Sequence, residues 1–131
     1  MRLVWQTLTA LVLWLGFLGG SAIAQTPVVI SISLTNYAFT PSALNLKAGT
    51  AYRLHFSNDG SKAHNFRAPD FFSASQIVPA DKSKIDGGSV ELDDGQSADI
   101  TITPIQTGTF MFDCSHFMHG LLGMHGKITV Q

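Results

Sequence analysis

The chain has 131 residues, of which eight are basic and nine acidic, and 45% are hydrophobic. That length supports one domain with one core rather than two, and the near-balanced charge, with no basic run or stripe, argues against nucleic acid as a partner. The first predicted element is a leader rather than part of the fold. Met1-Arg2 gives a short positive start, 8–18 is an apolar run, Gly19-Gly20-Ser21 breaks it, and Ala22-Ile23-Ala24 supplies small residues for cleavage. The run falls short of the roughly 20 residues a membrane-spanning helix needs, so a signal peptide over 1–24 and a periplasmic or secreted product are expected. Removing those 24 of 131 residues leaves 107, with seven basic residues against nine acidic ones. Nothing after residue 24 is apolar for long enough to span a bilayer, and the exported chain is expected to be a monomer without membrane contact.

Further along, Ile30, Ile32 and Leu34 alternate with Ser31, Ser33 and Thr35, the pattern of a half-buried strand. Phe39-Thr40-Pro41-Ser42 breaks the pattern, Leu44 and Leu46 resume it, and Lys47-Ala48-Gly49-Thr50 turns the chain. Tyr52, Leu54 and Phe56 then face one way, and Arg53, His55 and Ser57 the other. Asn58-Asp59-Gly60-Ser61 is a strong turn, and another β segment starts at His64-Asn65-Phe66. The stretch 69–88 is polar and irregular, with one helical turn expected around 71–76. Ser89 to Leu92, a turn at Asp93-Asp94-Gly95, and Ala98-Ile100-Ile102 read as a hairpin. Phe110, Phe112 and Cys114 share one face of the next strand, and 127–130 forms the last. The expected fold is therefore all-β, a Greek-key β-sandwich or barrel of seven or eight strands with one short helical excursion.

Cys114 is the chain's only cysteine, so it forms no disulfide within the chain, and in an exported protein an idle thiol is open to oxidation. It is buried and inert, joined to another molecule, or bound to a metal. Its neighbours favour the metal: residues 113–126 also hold three of the five histidines and two of the four methionines. Cys114-x4-His119-x4-Met124 offers a thiolate, an imidazole and a thioether, donors that copper prefers and that calcium or magnesium refuses. One more histidine completes a trigonal His2Cys set with a weak axial Met.

His119 is favoured over His116 because its five-residue separation from Cys114 leaves chain enough to fold back over one ion. Met124, following Gly123, suits the axial place, whereas Met118 reads as packing or surface. His64 is the candidate fourth ligand, since His55 lies on the polar face of its strand. Asn65 is placed to hydrogen-bond across the site and clamp the ligand loop. The bland alternatives, a packed core thiol and a surface histidine beside a turn, leave the density of soft donors in one loop unexplained.

On these residues the chain resembles the cupredoxin family of type 1 blue copper proteins. The resemblance takes in Phe39-x-Pro41, Ala48-Gly49-Thr50, His64-Asn65-Phe66, Phe110-x-Phe112-x-Cys114, Cys114-x4-His119-x4-Met124 and Gly126-Lys127-Ile128. Its ligand spacing looks like that of rusticyanin-like and auracyanin-like members. It implies one type 1 copper, with His64, Cys114 and His119 equatorial and Met124 axial. It also implies single-electron transfer between redox partner proteins.

An apolar shell of Phe66, Phe110, Phe112, Phe117, Leu121 and Leu122 is expected to exclude water from such a site. A rival reading is copper binding for resistance, delivery or storage, with copper-handling proteins as partners and His116, Met118 and His125 forming a second locus. An enzyme is not expected: a thiol nucleophile lacks an identifiable orienter and oxyanion donor, and an oxidase would need further histidine pairs. A structural zinc would leave the axial thioether unexplained.

Overall fold

The computed structural model describes residues 23–131, and the predicted leader lies, as far as residue 22, outside the described residues. Ten strands follow in order: β1 (Val28–Thr35), β2 (Ala38–Thr40), β3 (Ala43–Leu46), β4 (Tyr52–Asn58), β5 (His64–Arg67), β6 (Ser75–Ile77), β7 (Ser89–Leu92), β8 (Ser97–Pro104), β9 (Gly108–Asp113) and β10 (His125–Val130). A short helix, α1 (Pro69–Ser73), precedes β6, and a 3-10 helix over Pro79–Lys84 follows it. The strands form two five-stranded sheets, ordered β2-β1-β4-β8-β6 and β3-β10-β9-β5-β7. The expected β-sandwich is what the chain builds.

Period-two alternation gives each sheet one apolar face. In the first, Val28, Tyr52 and Ile102 stand in one cross-strand row and Ile30, Leu54 and Ile100 in another. In the second, Phe112 stands opposite Gly126, and Phe110 opposite Ile128, which in turn faces Leu44. Between the sheets lies a cluster of rings centred on Phe66, with centroids 4.7 Å from Phe56, 4.7 Å from Phe112 and 5.9 Å from Phe39. Burying each such side chain contributes about 1.5–3 kcal/mol, so this cluster fixes the sheets against each other. Its members Phe66 and Phe112 are two residues from His64 and Cys114, which sets the end of the sandwich where the candidate donors emerge.

The structure differs from the sequence-based expectation in three places. The described residues form ten strands because β2 and β6, at three residues each, are too short to show alternation. The helical turn starts earlier, at Pro69, whose fixed φ and missing N–H suit a first helical position. It buries Phe71 and Phe72 and gives way at Ser75, so that Gln76 lies in β6. The 89–102 segment is not a hairpin: β7 belongs to the second sheet and β8 to the first. Val90, Leu92, Ile100 and Ile102 all join the buried core between the sheets rather than pairing along a ladder. Among the described residues no helix is long and apolar enough to cross a membrane.

Candidate metal centre

Two strands and one loop bring the predicted residues together. His64 opens β5, Cys114 follows the last residue of β9, and Met124 precedes the first residue of β10. His119 sits in the loop between them. All four are buried: 1% of His64, 2% of Cys114, 8% of His119 and none of Met124 is exposed. Cys114 Sγ lies 3.4 Å from His119 Nδ1 and 4.0 Å from His64 Nδ1, and the two Nδ1 atoms lie 3.1 Å apart. A point equidistant from these three atoms is about 2.1 Å from each, within reach of the roughly 2.0–2.3 Å bonds that imidazole nitrogen and thiolate sulfur make to a metal. One thiolate and two imidazoles can therefore hold a single ion without moving.

The loop is tied at its base. The N–H of Cys114 donates to the Met124 carbonyl at 3.1 Å, and the N–H of Met124 donates to the His119 carbonyl at 3.0 Å. Gly123, at φ 99°, supplies the left-handed backbone that only glycine adopts cheaply just before Met124. Asn65 clamps the loop as expected: its Nδ2 donates to Ser115 Oγ at 2.8 Å, its Oδ1 accepts from the Ser115 N–H at 2.9 Å, and its own N–H points at Cys114 Sγ at 3.5 Å.

Sequence reasoning missed three supporting residues. Asn36, in the turn after β1, presents Oδ1 to His64 Nε2 at 3.4 Å, so the ring carries its proton there and leaves Nδ1 free to bind. Arg67 forks onto Asp113, with Nε and Nη2 at 2.7 and 2.6 Å from its two carboxylate oxygens. Glu91 takes His116 Nε2 at 2.5 Å. None of these partners lies near its target in the chain, so no motif could announce them. Tyr37, held at φ 66°, meets the His119 ring edge-on at 5.3 Å.

Burial pushes the imidazoles of His64 and His119 below the ordinary histidine range, and the neighbouring histidines push the same way. Burial raises the Cys114 thiol, against hydrogen bonds from the backbone of Asn65 and His116 that favour its anion. In the metal-free protein the site thus holds neutral donors packed together, a set that a soft cation would satisfy.

One expectation fails here. Phe117, Leu121 and Leu122 do not close over the site; they are 89%, 84% and 52% exposed, because the tight loop spends its inward positions on His119 and Met124. Water is excluded instead by Phe66 and Phe112, while Phe110 packs on Phe71. Among the described residues, His116 and His125 join no group of three or more His, Cys, Asp or Glu side chains that could hold a metal. His116 is tied to Glu91, and His125 stands opposite Asp113 in the β9–β10 ladder.

Residues 7–130 match the family model described as a cupredoxin-like domain. Auracyanin-B of Chloroflexus aurantiacus is 26% identical over 132 aligned residues, covering 86% of this chain and 56% of that protein. The chain therefore spans little more than half the length of that relative. The solved structure of auracyanin A, a "blue" copper protein from the same organism, superposes with a TM-score of 0.59 at 21% identity, covering 81% of this chain and 100% of the other. A copper binding protein solved by NMR in its apo form superposes at 0.53 with 25% identity, covering 79% and 86%.

Proposed function

We propose that this chain, which belongs to the cupredoxin-like family, carries single electrons between redox partner proteins on one type 1 copper held by His64, Cys114, His119 and Met124. The observation that carries the reading is the convergence of one thiolate and two imidazoles, all buried, on a point about 2.1 Å from each. The buried thioether of Met124 makes the donor set soft, which favours copper over zinc. Copper, when bound, supplies the one-electron couple between its two oxidation states.

The protein's part is to hold its donors still. Asn65 and the backbone of Met124 fix Cys114, Asn36 fixes the His64 ring, and Tyr37 borders His119. Phe66 and Phe112 keep water from the inner side. His119 is the most exposed of the four and lies beneath the loop tip, the natural face for a partner. The protein is a carrier rather than an enzyme, and its leader directs it to the periplasm or beyond, where it works as a monomer of residues 25–131.

A second reading, copper binding for resistance, delivery or storage, draws support from the similarity to the apo copper binding protein. Visible and electron paramagnetic resonance spectra of the copper-loaded protein, with a metal count, test both. One tightly held copper with intense thiolate-to-copper absorption supports the carrier. Two or more coppers per chain support handling, and a colourless copper form overturns the type 1 assignment.

A further inference from the structure

The strand that brings His64 and the strand that leads to Cys114 are joined in the sheet by a single rung, Arg67 opposite Asp113. β5 has four rungs with β7, and β9 has six with β10, so the seam between the two ligand-bearing strands is the weakest in this sheet near the site. Side chains reinforce it on both sides of the sulfur. Asn65 grips Ser115, one residue after Cys114, and Arg67 grips Asp113, one residue before it. The Arg67–Asp113 contact is bidentate, the geometry in which a guanidinium fixes orientation as well as charge.

We propose that Arg67 is a positioning residue for the Cys114 sulfur, acting through Asp113: the forked ion pair holds the seam in register and so sets where Sγ lies relative to His64 Nδ1. A half-exposed ion pair contributes little to global stability, so the effect is local. It also gives Asp113 a function. Its charge, beside the thiolate, is balanced by the guanidinium rather than left to repel the sulfur.

The inference rests on the copper reading for only one of its two readouts. The first is the rate at which dithionitrobenzoate labels Cys114 in the metal-free full chain. That thiol is 2% exposed and must be uncovered by local opening. Arg67→Met and Asp113→Asn should each speed labelling several-fold with the melting temperature nearly unchanged. Arg67→Lys, which keeps the charge but not the fork, should not restore the slow rate. The second readout is copper(II) binding: Arg67→Met should weaken it about tenfold and shift the thiolate-to-copper absorption. Unchanged labelling and spectrum in Arg67→Met would overturn the proposal, and wild-type behaviour in Arg67→Lys would overturn the forked geometry. If the wild-type protein takes up no copper while Arg67→Met still speeds labelling, the copper reading fails and the positioning role stands.

Discussion

His64 and His119, 55 positions apart in the chain, point their Nδ1 atoms at each other across 3.1 Å. Both rings are buried, and a proton on both inner nitrogens would set two cations face to face. In the unfolded chain each ring takes up a proton near the ordinary value of 6.5, but in the fold only at lower pH. The unfolded state therefore binds more protons as pH falls below about 6.5, and the metal-free protein loses stability through that window. Thermal melting of the metal-free protein should drop by several degrees between pH 7.5 and pH 5. His119→Gln should shrink the drop, and an unchanged drop in that variant would contradict the assignment.

Removing the sulfur donors should separate their roles. Cys114→Ser should abolish the visible absorption and the narrow copper hyperfine pattern, since the thiolate is the source of both. Met124→Leu should keep the colour and shift the reduction potential, because the axial donor tunes rather than creates the centre. Loss of colour in Met124→Leu would give the thioether an equatorial part.

Gly60 is the packing limit on His64. A Cβ there would lie 2.9 Å from His64 Nε2 and 2.8 Å from Asn36 Oδ1, although its backbone has no left-handed φ. Gly60→Ala should thus fold normally but push apart the pair that sets the ring's proton, weakening copper binding by about tenfold. Isothermal titration beside a melting curve reads both effects.

Gly126 is a different case, because the obstacle is partly backbone. A Cβ would come within 2.3 Å of the Ser42 carbonyl and of the Phe112 ring. Gly126→Ala should destabilise the fold by about 3 kcal/mol or more, the upper end for overpacking, measured by urea denaturation.

The sequence carried most of the inner site and little of its support. Cys114, His119 and Met124 share one loop and a fixed spacing, so their chemistry was readable from the residues themselves. His64 was reachable because the adjacent Asn58–Lys62 turn and Asn65 marked its place. Arg67, Glu91 and Asn36 act through strand register and turn packing, which residue spacing does not encode. Phe117, Leu121 and Leu122 were misjudged because hydrophobicity says a side chain would gain from burial, not that the loop has room for it. The β7–β8 segment misled in the same way: two alternating strands around Asp-Asp-Gly look alike whether they pair or face each other across a core.

From β2 through β9 every connection passes from one sheet to the other, and only the first and last connections, β1 to β2 and β9 to β10, stay within a sheet. Neighbours along the chain are therefore rarely partners in a ladder, and productive encounters require large loops to close first. Such a topology folds slowly, in milliseconds to seconds rather than microseconds. During that interval the C-terminal hairpin could already offer sulfur and imidazole to a cation, while the remaining nitrogen arrives only when β5 docks. Metal present early in refolding should accordingly change the observed rate, accelerating it if the ion recruits the late strand and retarding it if the ion is captured by the wrong donors.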